Sequence, residues 1–231
     1  MDVTAMAREA IRREPGFHPP LEGLAVPGLL LLASSLQFLS GDVAGLYIRF
    51  GLDPLTVEAG HIGGLLTYMF VHQTVFHAAS MVLMSLVVAP PVARLFEAGW
   101  RRWVGVFSFF IICGVIAGAG FCAAHPHQNT LLIGSSGAVA GLFGGAARSL
   151  VRGRAGLGPI LSPVAIFLAA AWGVINLVAA GVSLGGGGQF NDYGWEAHAA
   201  GFLSGLLLIG PWKRVLSWHP RLGRREESPT V

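Results

Sequence analysis

Long apolar stretches without Lys, Arg, Asp or Glu recur along most of the chain. The first, residues 23–41, is long enough for a helix to cross about 30 Å of hydrocarbon. Another, residues 103–147, is divided into two helices by a polar, turn-rich segment at 123–129. The complete pattern predicts six membrane-spanning helices, near residues 23–41, 72–95, 103–123, 135–149, 159–182 and 195–212.

The placement of basic residues tests this span count independently. Lys and Arg cluster before the first span, between the second and third, between the fourth and fifth, and after the sixth. A six-span topology puts all of these clusters on one side of the membrane and leaves only Arg49, of 15 Lys and Arg residues, on the other. Because positively charged loops stay on the cytoplasmic side, we expect both termini to be cytoplasmic.

The predicted topology divides the chain into three parts. They are a polar cytoplasmic N-terminal segment (1–22), a six-helix membrane domain (23–212) and a basic cytoplasmic tail (213–231). No cleavable signal peptide is apparent in the first segment, so the first span is predicted to be retained. The short loops and the lack of a transit peptide favour a multi-pass protein of the bacterial cytoplasmic (inner) membrane, with an organellar membrane as the alternative.

Composition agrees with an all-α, polytopic membrane protein embedded in the lipid bilayer. Hydrophobic residues make up 53% of the chain and charged residues only 12%, against about 25% charged residues in soluble domains. The net charge of +3 would suggest a nucleic-acid partner in a soluble protein. Here the clustering of the basic residues on one side of the membrane accounts for it, and we expect no nucleic-acid partner.

Ser136 lies in a Gly-Ser-Ser-Gly sequence at the start of the fourth span. A serine acts as a nucleophile when a base takes its proton and hydrogen-bond donors stabilise the oxyanion. The small neighbours would let a substrate carbonyl approach, and the helix N-terminus supplies free N–H groups. Gly137 and Gly141 also form a small-xxx-small helix-packing pattern, so this motif taken alone favours a structural contact over a nucleophile.

His198 provides the candidate base, near the start of the sixth span. Ionisable side chains within a membrane are costly and generally face a polar cavity or a partner. Gly201 and Gly205 form a second small-xxx-small face, and packing of this face on the fourth span would place His198 and Ser136 at similar depth. The alternative is a head-group histidine that bonds to a loop carbonyl.

These motifs together resemble the rhomboid family of intramembrane serine proteases. The family's G-x-S-G is present at 134–137, and its A-H-x-x-G-x-x-x-G is present at 197–205. The paired histidines of its second helix correspond to His72 and His77, and Glu97 occupies its usual acidic position. The resemblance covers about residues 24–212 and implies a six-helix rhomboid-like bundle.

The resemblance also implies roles for individual residues. Ser136 would be the nucleophile of a serine endopeptidase and His198 its general base, in a dyad without an acidic member. His77 would donate to the oxyanion together with the Ser136 backbone N–H, and His72 would support the loop-to-helix hydrogen bonding. The substrates would be transmembrane proteins, cleaved near the outer end of a helix. No cofactor and no metal are implied, and no H-E-x-x-H sequence points to zinc.

Three positions depart from the family pattern. Met81 replaces an Asn that acts as a second oxyanion donor, for which Ser80, Gln73 or a water would have to substitute. Ala140 replaces an aromatic residue that packs on the histidine, and the Trp-Arg pair of the first outer loop is missing near 63–64. These departures leave open an inactive rhomboid-like binding or chaperone module. A transporter or channel is less consistent, since neither charged midplane segments nor an inverted repeat are found.

Overall fold

The computed structural model describes residues 20–150, 157–185 and 194–217. Within these ranges the regular structure is helical, apart from one isolated β-bridge. Two short 3-10 helices cover Leu21–Leu24 and Tyr68–Phe70. The α-helices are α1 (Ala25–Leu39), α2 (Val43–Phe50), α3 (Pro54–Glu58), α4 (Gly64–Thr67), α5 (Val75–Ala93), α6 (Trp100–Ala124), α7 (Ser136–Ser149), α8 (Pro163–Gly185) and α9 (Trp195–Ser217).

The six long helices, α1 and α5 to α9, lie where the apolar stretches predict them. Among the described residues, three segments are long and apolar enough to cross a membrane, namely Leu21–Leu39, α5 and α6, and α8 adds a shorter apolar stretch at Pro163–Val178. The all-helical membrane fold is therefore confirmed, whereas the six-span count and the side of the termini stay predictions. Most of the predicted N-terminal segment and basic tail lies outside the described residues.

Helix α7 lies at the centre of the fold, and its main contact is with α9. A Cβ atom added to Gly201 would lie 2.0 Å from the Gly137 carbonyl oxygen, and one added to Gly205 would lie 1.8 Å from that of Gly141. Both distances are far inside van der Waals contact, so these backbones touch without intervening side chains. The predicted pairing of the fourth and sixth helices through their glycine faces is confirmed.

The connection between α1 and α5 is more structured than the apolar pattern indicates, since it contains α2, α3 and α4. An antiparallel bridge joins Leu52 to Leu132, with both N–H···O distances at 2.9 Å. The buried Tyr68 hydroxyl donates to the Gly114 carbonyl oxygen of α6 at 2.7 Å. These bonds hold the connection against the bundle and fix the chain that leads into α5.

A second link joins this connection to the break after α6. His127 donates to the two Glu58 carboxylate oxygens, from its backbone N–H and from its ring nitrogen Nδ1, at 2.9 Å each. The backbone hydrogen bond, with the ring contact, lowers the pKa of the Glu58 carboxyl. The predicted polar break is confirmed, because α6 ends at Ala124 and the next helix begins at Ser136.

Arg148, near the C-terminal end of α7, is hydrogen-bonded to the loop that follows α7 and to the middle of α9. Its Nε donates to the Gly158 carbonyl oxygen at 3.0 Å, and its Nη1 donates to the Leu206 carbonyl oxygen at 3.1 Å. One charged side chain thereby links the end of α7 to the loop that follows it and to α9.

Replacing Arg148 with alanine is expected to lower the free energy of unfolding by about 2 kcal/mol, because both carbonyl groups lose a charged donor. Reversible unfolding in mixed micelles measures the change. Arg49→Ala is the matched control, since the Arg49 guanidinium stacks on the Phe50 ring at 5.4 Å and its loss should cost at most about 1 kcal/mol. Equal losses in the two variants would contradict the prediction.

Candidate active site

Ser136 is the first residue of α7, directly after a tight turn at Gly134. Gly134 has a φ of +108°, a conformation that side-chain-bearing residues rarely adopt. A Cβ atom there would also lie 2.6 Å from Cε1 of His77. The glycine is therefore required both for the turn that presents the serine and for the close approach of the His77 ring.

His198 faces Ser136 from the first turn of α9. Its Nε2 lies 2.7 Å from the Ser136 Oγ, and its side chain is buried, with 6% of the residue exposed. The contact depends on the glycine-to-glycine packing of α7 on α9 described above, since bulkier residues would hold the two helices apart. The structure thus brings together the two residues that the sequence singles out as nucleophile and base.

His77 lies in the first turn of α5, where the Thr74 Oγ1 accepts a hydrogen bond from its backbone N–H at 3.0 Å. Its ring packs against Gly134, on the turn that leads to Ser136. The Ser80 hydroxyl donates to the His77 carbonyl oxygen at 2.7 Å, within α5. Met81, one turn further along α5, is partly buried against the hydrophobic core.

His72 is fully buried and joins α1 to the serine-bearing turn. Its Nδ1 lies 3.2 Å from the Ser34 Oγ, and its Nε2 lies 3.1 Å from the Ser135 Oγ. The Gln37 amide clamps the His72 backbone, accepting from its N–H and donating to its C=O at 2.8 Å each. Both imidazole nitrogens and both backbone groups of His72 are thus paired in a buried polar network. This network ends on Ser135, the residue directly before Ser136.

Helix α8 contributes two side chains to the site, and the sequence analysis predicted neither of them. The Asn176 Oδ1 lies 2.7 Å from the His198 Nδ1. The Trp172 ring packs edge-on against the His198 ring with 6.4 Å between their centroids. An aromatic ring thus reaches the histidine from α8, although Ala140 occupies the family's usual aromatic position on α7.

A signal for Asn176 is present in the sequence. Between residues 163 and 182 it is the only side chain that is neither apolar nor small, with no Ser, Thr, Gln, His or charged residue. A polar side chain inside a membrane helix usually faces a partner or a cavity. The same signal does not extend to Trp172, because aromatic residues are common in apolar helices.

The site pairs a serine hydroxyl with an imidazole at hydrogen-bond distance. Ser136 lies at the N-terminus of α7, and His198 lies near the N-terminus of α9. That distance lies within the range of about 2.6–3.2 Å typical of an activated nucleophile and its base. The first N–H groups of α7 have no partner within their own helix and are available for negative charge. In the described part of the chain, no group of three His, Cys, Asp or Glu side chains is arranged to hold a metal ion.

Comparison with known protein families assigns most of the chain to one domain family. The model of the Rhomboid domain matches residues 59–212, more than half of the chain. The matched region contains His72, His77, Ser136 and His198. No curated protein matches the chain.

Proposed function

The chain belongs to the rhomboid family, and from this membership we propose that it is an intramembrane serine endopeptidase with a Ser136–His198 dyad. Its substrates are transmembrane proteins, cleaved near the outer end of a helix. The observation that carries this proposal is the 2.7 Å contact between the Ser136 Oγ and the His198 Nε2. A hydroxyl is a weak nucleophile until such a base accepts its proton.

Acylation begins when the Ser136 Oγ attacks the scissile carbonyl carbon while the His198 Nε2 takes the hydroxyl proton. The carbonyl oxygen becomes an oxyanion in a tetrahedral intermediate. Collapse of the intermediate breaks the C–N bond, and the imidazolium returns its proton to the leaving amine. In deacylation His198 removes a proton from a water that attacks the acyl-serine. As the acyl C–O bond breaks and the new acid is released, the imidazolium returns that proton to the Ser136 Oγ.

Two groups are assigned to the developing oxyanion, the Ser136 backbone N–H at the start of α7 and the His77 side chain. The first group has no partner within the helix, and the positive end of the helix dipole favours negative charge at this position. The second is held on the serine-bearing turn by its packing against Gly134. The buried His72 network supports both by anchoring Ser135 to α1.

The short length of α7 supports a site below the membrane surface. A helix of 14 residues is about 21 Å long, less than the roughly 30 Å of the hydrocarbon core. With six spans and cytoplasmic termini, the inner end of α7 is at the cytoplasmic surface and Ser136 lies beneath the outer one. Segments 1–22 and 213–231 then flank the membrane domain on the cytoplasmic side, and we assign the protein to the bacterial inner membrane.

Cleavage in proteoliposomes, combined with covalent labelling, tests the function. The protein is incubated with a panel of single-span substrates before and after treatment with a fluorophosphonate, and the labelled residue is located by mass spectrometry. We expect cleavage near the outer end of the substrate helix, loss of cleavage after treatment, and the label on Ser136. A label on another serine, or cleavage that persists in the labelled protein, would refute the assignment.

An inactive, rhomboid-like protein-binding module is the alternative function, and Met81 is the observation that favours it. Absence of both cleavage and labelling in the same experiment, with retained binding of a transmembrane segment, would establish this alternative. The loss of one oxyanion donor costs about 10²–10³ in rate, so Met81 by itself is compatible with a slow enzyme.

Met81→Asn is expected to raise kcat by about tenfold, because it restores an amide donor one turn from His77 on the same helix. Steady-state cleavage of one substrate in detergent measures the change. Met84→Asn is the matched control, since Met84 is also a partly buried methionine of α5 but lies nearly two turns from His77. If both substitutions lower kcat alike, position 81 does not serve the oxyanion.

A further inference from the structure

We propose that Asn176 is a positioning residue for His198, so that the site works as a Ser–His–Asn array rather than as an isolated dyad. The proposal rests on the proposed protease function and adds a residue from α8 to it. Asn176 touches neither the substrate nor the nucleophile, and it acts through the imidazole. Three hydrogen bonds carry the argument, one at each end of the Asn176 amide and one at Nε2 of His198.

The first step fixes the orientation of the amide. The Asn176 Nδ2 lies 2.7 Å from the Trp172 carbonyl oxygen, one turn back in α8. A carbonyl oxygen accepts hydrogen bonds only, so the amide must present its NH₂ group to Trp172. The amide oxygen is therefore directed at the His198 Nδ1, at 2.7 Å.

The second step fixes the tautomer of the histidine. An amide oxygen has no proton to give, so the His198 Nδ1 must carry the hydrogen of this bond. In a neutral imidazole the other nitrogen, Nε2, then has a free lone pair. That lone pair faces the Ser136 Oγ at 2.7 Å, which is the arrangement required to accept the serine proton.

The third step concerns what else holds the ring. Trp172 packs edge-on against His198 and also lies against Phe143, with 5.1 Å between the centroids of Trp172 and Phe143. The Trp172 Nε1 is buried and finds no hydrogen-bond partner among the described residues, so this indole contributes ring contact alone. Ring packing restricts the tilt of the imidazole but does not distinguish its two nitrogens. The hydrogen bond that the His198 Nδ1–H donates to the Asn176 Oδ1 supplies that distinction.

Two substitutions of Asn176 test the proposal. Asn176→Leu removes the acceptor at similar volume, and Asn176→Asp keeps an acceptor opposite Nδ1. Val174→Ala is the matched control, because Val174 lies two residues away on α8 with 58% of its surface exposed. Each variant is characterised by kcat and KM for one transmembrane substrate, by its rate of fluorophosphonate labelling, and by the ¹⁵N NMR signals of its histidine rings, with His198→Gln identifying the His198 signals.

We expect the ring signals of the wild type to show a protonated Nδ1 and an unprotonated Nε2. In Asn176→Leu this preference is lost, kcat falls about 10- to 100-fold, and KM stays within about twofold. The fall is smaller than the roughly 10⁴-fold loss that follows when a charged triad member is replaced and the tautomer is wrong, since a neutral amide orients the ring without stabilising its charge. Asn176→Asp retains the Nδ1–H tautomer and is more active than Asn176→Leu.

Two results would overturn the role of Asn176. One is an unchanged tautomer in Asn176→Leu, and the other is a loss of kcat no larger than that of Val174→Ala. Failure of the protease function itself has a different signature, namely a wild type that neither cleaves nor becomes labelled. The NMR comparison still decides the role of Asn176 in that case, because the tautomer of His198 is measured without turnover.

Discussion

Replacing Ser136 with alanine is expected to lower kcat by about 10⁶, and His198→Ala should have nearly the same effect. The serine supplies the attacking oxygen, and the histidine supplies the base 2.7 Å away from it. Neither step of the covalent route proceeds without both groups. The double variant should therefore be no slower than either single variant, since residues that act as one unit show strongly non-additive losses.

Cleavage of one transmembrane substrate in proteoliposomes measures these losses. Ser204→Ala is the matched control, because Ser204 is a buried serine of α9 whose hydroxyl donates to the Gly201 carbonyl oxygen at 2.7 Å. That variant should keep kcat within a few-fold of the wild type. Additive losses in Ser136→Ala and His198→Ala, or cleavage that survives Ser136→Ala, would show that the reaction does not run through this pair.

The second large effect is expected at the contact between α7 and α9. Gly205→Ala should lower the free energy of unfolding by about 3 kcal/mol. Its Cβ atom would lie 1.8 Å from the Gly141 carbonyl oxygen, which belongs to a backbone and cannot rotate away. The two helices must move apart to admit the methyl group. Because Ser136 and His198 lie on these helices, cleavage should fall together with stability.

Unfolding in mixed micelles and cleavage at a temperature where the variant is still folded separate these two consequences. Gly28→Ala is the matched control, since Gly28 lies within α1 and a Cβ atom there would meet nothing within 4 Å. In an exposed helix position, Gly→Ala is neutral or stabilising by up to about 1 kcal/mol. If Gly205→Ala is tolerated as well as Gly28→Ala, the close approach of α7 and α9 is wrong.

Hydropathy alone finds only part of the bundle, and the reason is physical. Among the described residues, Leu21–Leu39, α5 and α6 qualify as spans by length and composition, whereas α7 and α9 do not. Helix α7 is short, rich in Gly and Ala, and buried along nearly its whole length. A helix surrounded by protein is selected for close approach rather than for contact with lipid. The Gly-Ser-Ser-Gly motif at the start of α7 and the basic residues after the helix identify α7 better than its hydrophobicity does.

The sequence by itself determined the positions of the long helices, the glycine faces of α7 and α9, and the candidate pair Ser136 and His198. Each of these is a local pattern, readable from spacing and residue type along one segment. The short helices between α1 and α5 and the contribution of α8 to the site were decided only by the tertiary structure. A single polar residue in an apolar helix, such as Asn176, indicates that its side chain has a polar partner. The sequence of that helix does not indicate which neighbouring helix provides the partner. That choice depends on how α8 is rotated and placed against α7 and α9, which only the packing of the whole bundle determines.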